Sequence, residues 1–72
     1  MTLKEFNKVN STTKTSYVVF KGDEAIEWFT VDYKNHGENV FREAQLEEQG
    51  AIVKHVDINT VTGILNVTVE VK

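Results

Sequence analysis

His55 and Asp57 stand two residues apart in Ile52-Val53-Lys54-His55-Val56-Asp57-Ile58, a stretch with the composition of a β-strand. Residues two apart on a strand share a face. An imidazole beside a carboxylate is the arrangement of a general base and its orienting acid. Nucleophilic catalysis needs a third group as well. The chain has no Cys, and its only serines, Ser11 and Ser16, flank an early loop. The pair therefore reads as the wet side of a hairpin, across from Asn66, Thr68 or Glu70, and no enzyme is expected.

Two other clusters carry chemistry. Lys34, His36 and Gly37 precede an expected helix start at Glu38 or Asn39, where free backbone N–H groups can hold a phosphate. This supports an alternative function, an oligomer that sequesters a small signalling nucleotide between subunits. Glu38 already supplies negative charge to that helix end, and no Gly-rich phosphate fingerprint accompanies it. A plain turn is the simpler reading. Glu43, Glu47 and Glu48 give the same helix an acidic surface suited to steering a basic partner. Mimicry of nucleic-acid phosphates by these residues is disfavoured, because the net charge is only −3.

The aromatic residues point elsewhere. Trp28 and Phe29 are neighbours, so on a strand they face opposite ways and one of them lies outside. A ring from Tyr17-Val18-Val19-Phe20 joins it there, either Tyr17 or Phe20. Leu46 falls off the apolar stripe of its helix. Exposed aromatic and aliphatic groups gathered this way mark contact surfaces. Trp28, Tyr17, Phe20 and Leu46, with Glu43, Glu47 and Glu48, are the expected partner-binding residues.

Composition bounds these readings. With 72 residues the chain makes one domain with a small core. Without Cys there are no disulfides or thiolate metal sites, and two His residues make no metal-ligand cluster. No metal or cofactor is expected, which leaves oligomerisation as the usual remaining support for so small a body. Residues 1–22 set Lys4, Lys8, Lys14 and Lys21 against Glu5. Residues 23–48 set eight acids against Lys34 and Arg42, and residues 49–72 balance. Direct nucleic-acid binding needs clustered cations and is disfavoured. The acidic middle favours a partner with a basic surface. No apolar run approaches the roughly 18 residues of a membrane span. No apolar segment follows Met1-Thr2-Leu3-Lys4-Glu5, so a soluble cytoplasmic protein without a signal peptide is expected. The sequons at Asn10 and Asn66 are then chance matches.

The elements that position these residues follow from local signals. Thr2 and Glu5 have capping-box spacing, and Leu3, Phe6 and Val9 recur with helical period, predicting a helix over about 3–9 that covers an edge or end of a sheet. Tyr17-Val18-Val19-Phe20 reads as a strand, Gly22-Asp23 as a turn, and Ala25 to Val31 as the returning strand. Ile26, Phe29 and Tyr33 also fit a helix, but Trp28-Phe29-Thr30-Val31 after a Gly turn favours the strand. A second helix opens at Glu38 or Asn39 and ends at Gly50, with Val40, Ala44 and Ala51 on its stripe and Phe41 to one side. Ile52, Val56 and Ile58 alternate with Val53, His55 and Asp57. Leu65, Val67, Val69 and Val71 alternate with Asn66, Thr68 and Glu70, giving a second hairpin. The expected fold is α+β in the order α-β-β-α-β-β: one antiparallel four-stranded sheet from two hairpins, with the main helix on one face.

The start Thr2-Leu3-Lys4-Glu5-Phe6, the early hairpin, the short helix and the terminal hairpin with Gly63-Ile64-Leu65-Asn66-Val67 resemble small uncharacterised proteins of phages and prophages of low-GC bacteria. The resemblance is one of layout over most of the chain. It departs in the longer 58–64 connection and in Trp28 and Phe29. It implies a phage-type accessory protein and carries no catalytic residue across. The combined expectation is a non-enzymatic binding module, homo-oligomeric, that blocks or modulates a host protein through an apolar and acidic surface.

Overall fold

The computed structural model describes residues 1–10, 12–35 and 38–72. Its elements run α1 (Leu3–Asn7), β1 (Lys14–Lys21), β2 (Glu24–Asp32), α2 (Glu38–Glu48), β3 (Ile52–Ile58) and β4 (Leu65–Val71). The fold is α+β, with one four-stranded sheet and two helices.

The start of α1 and the end of α2 each have a chemical cause. The Thr2 hydroxyl accepts from the Glu5 N–H at 3.2 Å, and the Glu5 carboxylate accepts from the Thr2 N–H at 3.0 Å, so both halves of the capping box are made. At the end of α2, Gly50 takes φ +73°. The Gly50 N–H donates to Glu47 at 3.1 Å and the Ala51 N–H to Leu46 at 3.0 Å. This is a Schellman closure, and Leu46 and Ala51 supply its apolar contact, both buried.

The sheet order is β2-β1-β4-β3, and β1 runs parallel to β4, with Thr15 beside Leu65 through Lys21 beside Val71. The sheet is therefore mixed, which corrects the expectation of a purely antiparallel one. The reason lies in the connecting helix. Eleven helical residues rise about 16 Å, most of the length of a strand. The chain leaves β2 at one end of the sheet, and α2 carries it toward the other. β3 then runs the same way as β2, and because β4 and not β3 lies beside β1, the two antiparallel hairpins meet through parallel inner strands.

The core lies between the sheet and the helices. Leu3, Tyr17, Val19, Val31, Leu46, Ala51, Leu65, Val67 and Val69 are buried there. α1 is tacked to the start of edge strand β3: the Leu3 N–H donates to Ala51 at 2.7 Å, the Val53 N–H to Met1 at 2.9 Å, and Thr2 bridges Ile52. That placement covers a sheet edge as expected, although Val9 is exposed and lies outside the helix.

The inner face of α2 differs from the sequence reading. Glu43 and Leu46 point inward with half-buried Val40, while Phe41 and Ala44 are exposed. A carboxylate in the middle of the buried stripe breaks the polarity pattern by which a helix face is read. In β3, an irregularity between Val53 and His55 shifts the alternation by one residue. Val53, Val56 and Ile58 share the helix side, opposite Val69, Val67 and Leu65. Ile52, His55 and Asp57 lie on the other side, so Ile52 does not share a face with Val56 and Ile58. One extra residue has this effect on every side chain that follows. Among the described residues no helix is long and apolar enough to cross a membrane.

Candidate functional site

The helix-free face of the sheet is built in three rows by strand register. The first runs Trp28, Val18, Thr68, His55, the second Thr30, Ser16, Asn66, Asp57, and the third Ala25, Phe20, Glu70, Ile52. The β2 and β1 side of this face carries Trp28, Val18, Phe20 and Ala25 beside Ser16 and Thr30, and the β4 and β3 side is polar apart from Ile52. Trp28 remains 66% exposed, while Val18 and Phe20 are half-buried. Trp28, Val18, Ser16, Thr30 and Asn66 line a shallow hollow of about 410 Å³. Ser16 and Thr30 hydrogen-bond across the strands at 2.9 Å, fixing the hollow's floor.

His55 and Asp57 sit on the exposed far side of this face, facing Thr68 and Asn66 as the hairpin reading expects. No hydrogen bond joins them to each other or to a nucleophile among the described residues. The charged groups nearby, Lys54 and Glu70, pair at 3.6 Å. A sheet face that stacks aromatic rings on nucleic acid also needs cations to hold phosphates. Among the described residues the cations of this face, Lys14 and Lys54, are already paired, with Asp32 at 3.8 Å and with Glu70.

Of the other expected partner-binding residues, Glu48 is exposed, Phe20 is half-buried on the helix-free face, and three are buried. Tyr17 is 1% exposed, Leu46 0% and Glu43 6%. Tyr17 takes an inward position of a central strand, and its ring packs on Phe29 with centroids 5.1 Å apart. Leu46 fills the space between α2 and the sheet. Glu43 follows them inward because two phenols meet it there. The Tyr17 hydroxyl donates to Glu43 Oε2, and the Tyr33 hydroxyl donates to the same oxygen at 2.5 Å. Asn7 Nδ2 donates to the Tyr17 oxygen at 3.4 Å, and Thr15 Oγ1 lies 3.1 Å from the Tyr33 hydroxyl. Glu47, one turn on from Glu43, is half-buried beside this cluster, so the expected acidic face is divided between core, rim and solvent.

Sequence reasoning missed Tyr33, Thr15, Asn7, Asn10 and Thr12, which surround the buried carboxylate. The available signal was Glu43 itself, standing three residues from Val40 and three from Leu46 in an otherwise apolar row.

Both phenols hold their protons. Burial, and then the bond to Glu43, push the Tyr17 hydroxyl far above the usual phenol range and the Tyr33 hydroxyl up to about 12. The chain has two tyrosines, so an alkaline absorbance titration reads only these groups. It should show little phenolate near the ordinary pKa of about 10. The folded chain binds these protons more tightly than the unfolded chain. The stability they contribute is therefore whole below about pH 10 and is lost as the pH rises toward 12. Urea midpoints that hold constant through this window, with both phenols ionising normally, would contradict the cluster.

The nucleotide-binding alternative places Lys34 at an exposed turn. There the Lys34 N–H donates to the Asp32 carboxylate at 3.0 Å and the Asn35 N–H to the Asp32 carbonyl at 3.2 Å. The Lys34 N–H, with help from Asn35, holds the Asp32 carboxyl below its usual range. The Lys34 N–H is thus engaged by an aspartate carboxylate. His36 and Gly37 lie outside the described residues. Compared with known protein families, curated proteins and solved structures, the chain matches none closely enough to carry an argument.

Proposed function

We propose that this chain is a non-catalytic binding module that blocks or modulates a partner protein through the helix-free face of its sheet. One observation carries the reading: the only Trp of the chain stands 66% exposed in register with Val18 on that face. Leaving so large an apolar ring in water forgoes stabilisation that a small domain needs, and aromatic rings of this kind dominate the energetics of protein contacts. Phe20 extends the apolar side, while Asp57 and Glu70 give the opposite side acidic groups for a basic partner. The layout resemblance makes a phage-type accessory role the biological setting of this proposal, and a second copy of the chain is the rival occupant of the face.

The proposal is tested by affinity capture with wild type and Trp28→Ala, with the solution mass measured alongside. Trp28→Ala should keep stability within about 1 kcal/mol, as exposed positions do. Its binding should fall by about 2 kcal/mol, or roughly thirtyfold. A concentration-dependent mass that reverts to monomer in Trp28→Ala would assign the face to self-association.

A further inference from the structure

On the opposite side of the molecule a second hollow, about 270 Å³, is lined by Asn7, Asn10, Thr12, Tyr33, Glu43 and Glu47. Its polar groups are unevenly matched. Glu43 is 6% exposed, and both tyrosine protons go to its Oε2. Its Oε1 receives no hydrogen bond from a described residue. Asn7 Oδ1 is shut off from solvent and finds no donor among the described residues. The orientation of that amide is fixed by its neighbour. Tyr17 spends its single proton on Glu43, so its oxygen can only accept, and the Asn7 NH₂ must face it. Asn10 Oδ1 already accepts from the Thr12 N–H at 3.2 Å. Glu47 lines the hollow and is half-buried. The lining therefore presents surplus acceptors and two carboxylates, with the Tyr33 ring as an aromatic wall.

We propose that this hollow is a binding site for a cationic group bearing N–H donors, a primary ammonium or a guanidinium. Such a group supplies several donors from one centre and the charge that two carboxylates complement. An aromatic wall suits the same ligand. A phosphate or carboxylate is repelled there, and a neutral hydroxyl compound lacks the charge. A quaternary ammonium has the charge but no N–H to offer Glu43 Oε1. The cation can be a free amine or guanidine, or a Lys or Arg side chain of another protein. The site does not depend on the sheet face, and either can fail without the other.

The test is a titration followed by the side-chain amide NMR signals of Asn7 and Asn10, at fixed ionic strength. The probes are butylammonium, ethylguanidinium, N-acetyl-lysinamide and tetramethylammonium. The N–H cations should shift these signals saturably, with dissociation constants on the order of 1 mM for such small ligands. Tetramethylammonium should bind about tenfold more weakly. Tighter binding of N-acetyl-lysinamide than of butylammonium assigns the cation to a protein side chain, and the reverse order to a free amine. Glu43→Gln keeps an acceptor for both phenols, and Glu47→Gln lies at the rim, where no fold hydrogen bond is lost. Each should weaken binding about tenfold. If Glu43→Gln does not fold, Glu47→Gln alone decides. Shifts that never saturate, that tetramethylammonium reproduces, or that persist unchanged in Glu47→Gln would overturn the proposal.

Discussion

Replacing Glu43 by alanine is expected to lower the stability of the fold by about 3 kcal/mol. The side chain is 6% exposed and is the acceptor for both phenols. Its loss leaves the Tyr17 hydroxyl buried without an acceptor, and an unmatched buried donor costs more than its hydrogen bond contributed. A domain of this length holds only about 4–11 kcal/mol in total, so the loss is a large share. The effect should be non-additive. In a Tyr17→Phe, Tyr33→Phe background the same Glu43→Ala change should cost about 1–2 kcal/mol less, because no donor is then orphaned. Urea unfolding of the four combinations measures this coupling. Fully additive effects would mean that the carboxylate and the phenols do not meet.

Leu46→Ala should cost a similar amount, about 3 kcal/mol, through lost burial and the cavity left behind. The contrast with Phe41 makes this informative. Phe41 is the larger side chain, yet it is 76% exposed while Leu46 is 0% exposed. Phe41→Ala should therefore change stability by no more than about 0.5 kcal/mol. A helix rotated to bury the stripe of Val40, Ala44 and Ala51 with Phe41 at its flank reverses that order. Thermal unfolding of the two variants side by side separates the two orientations. The Schellman closure reinforces the expectation, because Leu46 also packs on Ala51 just beyond the helix end.

The legible parts of this fold are those where one local rule acts alone. The alternation in Leu65 to Val71, the capping box at Thr2, the Gly22 turn and Gly50 at the helix end each rest on nearest neighbours in sequence. So does the opposition of Trp28 and Phe29, which places one ring on each face of β2. The failures come where tertiary partners override local polarity. Glu43 is inside because Tyr17 and Tyr33 arrive from two strands to bond it, and neither is near it in sequence. Its charge makes the inward face of α2 look like the outward one and so displaces Leu46 to the surface. For Tyr17 and Phe20, alternation alone leaves open which ring lies outside, and Phe20 does. The irregularity before His55 has no signature in residue type, so the alternation puts Ile52 on the face of Val56 and Ile58, where Val53 stands instead. The parallel pairing of β1 with β4 was available in principle. The length of α2 sets the direction of β3, and the placing of β4 beside β1 makes the pair parallel.

The two surfaces of the sheet therefore have separate roles in this account. The helix side is closed over a hydrogen-bonded carboxylate, and the other side is open and carries Trp28, Val18 and Phe20. The account rests on that open side being used. The most direct measurement compares what wild type, Trp28→Ala and Phe41→Ala retain from a host lysate at matched folded concentration. A partner retained by wild type and Phe41→Ala but lost by Trp28→Ala is the predicted result. Equal retention by all three, or loss with Phe41→Ala alone, would contradict it.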